Sequence, residues 1–360
     1  MTLTVPAPVA AGPPAVLDRF RLLVEPELRA AVAALHPDLA RMAAYSFGWC
    51  EADGAPTEGS GGKMLRSALA LLSAELVGEA AERAVSGAVG VELLHAFSLV
   101  HDDILDADER RRHRPTVWKT YGVGPAVLAG DALFALAVRA VAHTQHASDP
   151  GQAVRLLSQT MVDLCQGQAK DIAFEQRPWT GPDQVTVAEY RAMAAGKTGA
   201  LIACSLAIGA ALNGSPPRLV RTLLKSGRRL GLAFQIVDDV LSGIGDPHTT
   251  GKPVLNDLCA GKKTYPVLVA LSAPGPVATQ LRTLLAAHDD LAGRGLVRQD
   301  DEDLAQIGGL VAEAGGYEQA SLEARRLVQS GLAALNHDRF HAGVISELEG
   351  LAAFLLDRSA

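Results

Sequence analysis

Aromatic residues make up only 4% of this 360-residue chain. Long alternating runs of Val, Ile and Thr are missing too, which removes the side chains and the period-two pattern that strands need. Cysteine is scarce: Cys50, Cys165, Cys204 and Cys259 lie far apart with no Cys-x-x-Cys spacing. Neither a zinc site nor a disulfide framework is indicated, and the reducing cytoplasm is the expected location. Basic charge is not in excess, 33 Lys and Arg standing against 40 Asp and Glu for a net charge of -7, so no nucleic-acid partner is expected. The longest charge-free apolar stretch, Thr198 to Leu212, is 15 residues, short of the roughly 20 that cross a bilayer. The start lacks a basic segment followed by an apolar core. No transmembrane segment and no signal peptide are expected.

What is present is helix-forming and apolar. Alanine and leucine dominate, 48% of residues are hydrophobic and mean hydropathy is +0.15, enough for a large core. The chain reads as all-α, a large helical bundle around a deep central cavity. Residues 1–15, with four prolines and no charge, read as a mobile tail that is at most a docking peptide. Residues 16–360 read as a single domain, punctuated by Gly, Pro and Asp at 54–62, 110–115, 122–125, 149–151, 178–182, 214–217 and 243–253.

Two acidic clusters carry the chemistry. Asp102, Asp103 and Asp106 end one apolar run, and Asp238 and Asp239 end another. On a helix Asp102 and Asp106 are neighbours about 5–6 Å apart, where like charges repel; a hard divalent cation such as Mg²⁺, shared with substrate phosphates, removes the conflict. Before the first cluster, His95, Ser98, Asp102 and Asp106 fall at i, i+3, i+7 and i+11, a polar stripe on an otherwise apolar helix. A polar stripe inside a core needs partners or a cavity.

Cations surround these acids in the sequence. Gly61-Gly62-Lys63 leads into a helix start with Arg66 one turn on, a suitable anion site. Arg110, Arg111, Arg112, His113 and Arg114 follow the first cluster directly, and guanidinium groups grip phosphate bidentately. Lys197, Lys252, Lys262 and Lys263 lie on both sides of the second cluster. One alternative reading is a di-iron carboxylate bundle built on Glu92 and His95. It needs two Glu-x-x-His elements, and the chain has one.

The ordered motifs GGKMLR, VELLHAFSLVHDDILD with RR and PT, GDALF, GQAKD, GKT, FQIVDD, GDPHTTGK and DLCAGKKTYP resemble those of the trans-isoprenyl diphosphate synthases, the polyprenyl synthetase family, from about Arg19 to Arg358. That resemblance implies an isoprenoid synthase-type bundle and a homodimer. It also implies condensation of isopentenyl diphosphate with an allylic diphosphate of C5 to C15, using Mg²⁺ (three ions, with Mn²⁺ as a substitute). Asp102, Asp106 and Asp238 are then the metal ligands, with Asp103 and Asp239 supporting them. Arg111, Lys197 and Lys252 hold the allylic diphosphate, with Lys262 among the binding cations. Lys63, Arg66, His95 and Arg112 bind isopentenyl diphosphate, while Thr198 and Gln235 turn oxygens toward the developing cation. Phe97 and Ser98 set product length, with C20 geranylgeranyl diphosphate expected and C15 farnesyl diphosphate as the alternative.

The chain departs from the family pattern at Ser242 (usually a third aspartate), Met64 and Ser67 (usually basic and proline), His113 (commonly glycine) and Tyr265 (commonly leucine). A class I terpene cyclase would share the fold and the first acidic motif but needs no second diphosphate site. A non-catalytic subunit of a heteromeric synthase would lack first-motif acids, all of which are present here.

Overall fold

The computed structural model describes residues 15–57, 62, 64–144, 148–244, 256–293, 301–336 and 339–356. In chain order the helices are α1 (Ala15–Ala33), α2 (Pro37–Phe47), α3 (Leu65–Leu76), α4 (Val85–Leu105), α5 (Val117–Tyr121), α6 (Val123–Ala142), α7 (Pro150–Glu175), α8 (Val187–Ala194), α9 (Ala200–Leu212) and α10 (Pro217–Ile244). The series continues with α11 (Asn256–Cys259), α12 (Tyr265–Ser272), α13 (Pro276–Gly293), α14 (Asp301–Glu313), α15 (Gly316–Ala333) and α16 (Ala342–Leu356). The only described strands are the two-residue β1 (Arg110–Arg111) and β2 (Arg114–Pro115), an antiparallel pair. The chain is therefore all-α, as composition predicts.

Side-chain periodicity explains the bundle. In α1 the buried residues Leu17, Phe20, Val24, Leu28 and Val32 recur every three or four positions, one stripe against the core. All thirteen residues of α9 are buried, so the apolar run Thr198–Leu212 becomes the central helix, contacted by α3, α4, α7 and α10. Helix ends follow local chemistry: Asp149 caps α7 through the Gln152 N–H at 2.9 Å, and Thr186 with Glu189 forms a capping box on α8. The turn expected at 122–125 is instead the first turn of α6, where Pro125 is tolerated because the opening N–H groups of a helix lack partners anyway.

Three helical stretches, 81–105, 123–142 and 187–212, are long and apolar enough to cross a membrane by length and composition. The first and last have 72% and 78% of their apolar window buried inside the protein, so their hydrophobicity serves the core.

Close approach of backbones positions the later site. Between α8 and α9, residues Ala195–Gly199 form a single π turn, a distortion that often marks function, and it carries Lys197 and Thr198. This turn lies directly on α7: a Cβ on Gly167 would stand 2.1 Å from the Lys197 backbone nitrogen. Gly167→Ala should push α7 off the turn, lowering stability by about 1–3 kcal/mol and depressing activity. Urea unfolding indistinguishable from the parent protein would show that the contact relaxes without cost.

Candidate active site

The two acidic clusters sit near the C-terminal ends of α4 and α10. Asp102 and Asp103 lie in the last turn of α4 and Asp106 caps it, where the helix dipole disfavours carboxylates. Counter-cations arrive from elsewhere in the chain. Arg111 on β1 donates to Asp103 at 2.7 Å, and Lys262 donates to Asp106 at 2.6 Å across 156 residues. Burial raises Asp103 to about 6 despite Arg111. Burial also raises Asp102, offset by Lys197, with Asp106 repelling it.

A further acid, Asp171 on α7, lies outside both clusters and has no role assigned by the motifs. It accepts from Lys197 Nζ at 2.6 Å. The signal was available in the Gly167-Gln168-Ala169-Lys170-Asp171 run, but nothing local distinguishes its aspartate from a surface one. Lys197 and Lys262 are both raised, their acid partners outweighing burial, so both remain charged.

Asp239 has a different role from its neighbour Asp238. It is buried and accepts three hydrogen bonds: from Tyr190 Oη at 2.6 Å, from the Tyr265 backbone N–H at 2.8 Å and from Gln235 Nε2 at 2.9 Å. Burial still lifts it to about 7. Gln235 in turn accepts from Thr198 Oγ1 at 2.5 Å. Thr198 and Gln235 are thus brought together as expected, but both ends of the Gln235 amide are engaged by protein.

On the other side, Arg66, Arg112 and Arg111 act on His95, whose ring is held well below its usual range by burial and by these cations. The Arg112 guanidinium lies 3.2 Å from where a Cβ on Gly62 would stand, and the Gly62 carbonyl accepts from Arg21 at 3.0 Å. Arg66 is lowered by burial, with Glu92 and Asp238 favouring its charge. Glu92 accepts the Ser67 N–H at 2.9 Å and also favours the charge on Arg66. Lys63 and Lys252 lie outside the described residues, as do the motif residues Gly61 and Gly251.

Arg112 and His113 form the two-residue turn of the β1–β2 hairpin with φ of 50° and 65°. That left-handed geometry favours glycine or asparagine, which accounts for the family's usual glycine at His113.

Phe97 is buried between the His101 ring at 4.6 Å and the Phe134 ring of α6 at 5.7 Å. Ser98 is buried and donates to its own helix at His95 O, 2.9 Å away.

A cavity of about 480 Å³ is bounded by Asp171, Lys197, Gln235, Asp239, Lys262 and Lys263. Among the described residues no three His, Cys, Asp or Glu side chains gather to hold a metal unaided. Hard carboxylates in ones and twos beside lysines fit Mg²⁺ that shares its shell with phosphate and water.

The chain matches the polyprenyl synthetase family model over residues 55–294. It is 40% identical to (2E,6E)-farnesyl diphosphate synthase of Mycobacterium tuberculosis over 96% of this chain and 93% of that one. It is equally 40% identical to geranylgeranyl diphosphate synthase of the same organism, over 89% and 88%. The crystal structure of a polyprenyl synthetase from Streptomyces coelicolor superposes with a TM-score of 0.86 at 45% identity, covering 95% and 98%. The chain belongs to the polyprenyl synthetase family. It is a trans-prenyltransferase of the short-chain prenyl diphosphate synthase type.

Lys263 adds a feature the motifs do not explain. It is 5% exposed, its Nζ donates to Gly261 O at 3.0 Å and lies 4.1 Å from the Trp179 ring centroid. Burial lowers it to about 8. With the folded value below the unfolded one, the folded state binds fewer protons between pH about 8 and about 10, so stability rises with pH there by at most ~1 kcal/mol per unit. Lys263→Met should abolish that rise and unfold at higher urea at pH 7. Identical pH slopes for the two proteins would refute the cost assigned to the buried ammonium.

Proposed function

We propose that this enzyme condenses isopentenyl diphosphate with an allylic diphosphate, one to three isoprene units long, to give mainly C20 geranylgeranyl diphosphate. The observation that carries the reading is the presence of two cationic sets with different partners, Arg66 and Arg112 acting on His95, and Lys197 and Lys262 paired with Asp171 and Asp106. Two diphosphates need two such sites. A cyclase needs one. C15 farnesyl diphosphate remains the alternative product, since relatives of both kinds are equally similar.

Asp102, Asp106 and Asp238 would hold Mg²⁺, three ions in all, with Mn²⁺ as a substitute. Mg²⁺ would neutralise charge on the departing pyrophosphate. Arg111, Lys197, Lys252 and Lys262 bind the allylic diphosphate and stabilise the same developing charge. The allylic C1–O bond breaks with its electron pair leaving on the pyrophosphate oxygen. The double bond of isopentenyl diphosphate, held by Lys63, Arg66, His95 and Arg112, attacks C1 and forms the new C–C bond. The resulting tertiary cation loses a C2 proton to pyrophosphate. Thr198 and Gln235 keep oxygen dipoles at the cation, and the apolar bundle excludes water that would trap it.

An apolar edge on α6, where Val123, Val127 and Leu128 are 50%, 37% and 60% exposed, supports a homodimer. Free Cys50, Cys165 and Cys204 accord with the cytoplasm.

Asp102→Ala and Asp238→Ala should each lower kcat by orders of magnitude with helix content unchanged. Near-normal turnover of both at saturating Mg²⁺ would remove the metal-clamp assignment. For product length, Ser98→Phe should shorten the chain and Phe97→Ala lengthen it, read by product mass after incubation with C5, C10 and C15 primers. Unchanged mass in both variants would put the wall elsewhere, such as at Leu133 and Phe134 on α6.

A further inference from the structure

Gln168 is the one described carboxamide whose two polar atoms are both buried without a hydrogen-bond partner; the residue is 6% exposed. A buried amide with nothing to bond costs free energy, and such a group in a native core calls for a ligand. Its position says which part of a ligand. The inward face of α7 runs Leu157, Thr160, Leu164, Gln168, Asp171, all buried. Asp171 holds Lys197, and one turn beyond it Glu175 feels Lys262 and Asp106, so this end of α7 lies at the charged mouth. Leu164 and Leu157 continue into the apolar interior. Gln168 stands one turn, about 4.5 Å along the axis, inside Asp171. That is the level at which a diphosphate gives way to its hydrocarbon.

The neighbouring amide differs in having a protein partner at each end. Gln235 Nε2 is committed to Asp239 and its oxygen to the Thr198 hydroxyl. The backbone of Lys197 rests against Gly167, so Gln168 follows directly on the contact that anchors the π turn. From this geometry we infer that Gln168 is a further catalytic residue, its amide oxygen facing the allylic cation formed when the C1–O bond breaks. A fixed oxygen dipole in a water-free pocket stabilises positive charge more strongly than it does in water, and needs no reorganisation as the charge develops. The inference rests on the prenyl-transfer reading above.

The test compares Gln168→Met, which keeps volume and removes both dipoles, with Gln168→Glu, which keeps a carbonyl oxygen. The measurements are steady-state kinetics with isopentenyl and geranyl diphosphates plus Mg²⁺, and thermal unfolding of each protein. The Met variant is expected to lose about 10- to 100-fold in kcat, with both KM values within about threefold. Its melting temperature should be unchanged or higher, because an unpaired buried amide has been removed. The Glu variant should recover most of the rate. A Met variant with kcat within about twofold of the parent overturns the inference. So does one that fails to fold or melts several degrees lower, since the amide is then structural, or one whose loss lies wholly in KM. A parent protein that makes no prenyl product would instead overturn the prenyl-transfer reading itself.

Discussion

Carboxylates gathered at the C-terminal end of α4 are the constraint on which the site is organised. A helix end already carries partial negative charge, and Asp102, Asp103 and Asp106 add to it in a setting where burial makes ionised Asp102 and Asp103 costlier. The fold answers with cations from three separate segments: Arg111 from the hairpin, Lys197 from the π turn and Lys262 from the turn before α12. No stretch of the chain could complete this arrangement alone. The ion pair between Lys262 and Asp106 joins residues 156 positions apart, so the site forms only once the bundle has closed around α9. Buried pairs of this kind add little net stability, because desolvation cancels much of the attraction. Their value is that each lysine is already partly dehydrated and aimed when a diphosphate arrives to compete for it.

Adjacent aspartates are put to opposite uses by the geometry of α10. Consecutive residues on a helix point about 100° apart, so Asp238 and Asp239 cannot share a face. Asp239 turns inward to Tyr190, the Tyr265 backbone and Gln235, and fixes the Gln235 amide, which in turn orients the Thr198 hydroxyl. Asp238 acts on Arg66, which ties the second acidic cluster to the cationic side of the site. The doublet is thus a pivot between the two groups of cations.

The parts legible in the sequence were those with a short-range signature. The aspartates declare themselves by i, i+4 spacing after an apolar run, the fold class by composition and the basic hairpin by its charge. The wholly buried α9 is visible as an uninterrupted apolar stretch. What stayed hidden depends on long-range packing. Asp171 looks like any polar residue of a long helix until Lys197 is folded against it. Gln168 gains meaning only from having no partner, a property of the assembled core and not of its neighbours in the chain. Lys263 is likewise held near 8 by burial while adjacent Lys262 is raised by Asp106 in spite of burial; two consecutive lysines carry no mark of that difference in sequence.

Product length, on the reading proposed above, belongs to the α4–α6 pair and not to α4 alone. Gly90 and Gly130 let the two helices approach so closely that a Cβ at either would meet Val141 at 2.6 Å or the His101 ring at 2.2 Å. Held at that spacing, Phe97 is wedged between His101 and Phe134, and a ring fixed on both sides cannot swing aside for a longer chain. Ser98 has its hydroxyl turned back onto His95 O, so it offers a growing chain a small surface with its polar group already satisfied. A floor made of one immobilised ring and one small residue is rigid at one point and open beside it. Whether chain growth stops at C15 or C20 is then governed by where the spacing of α4 and α6 fixes that ring.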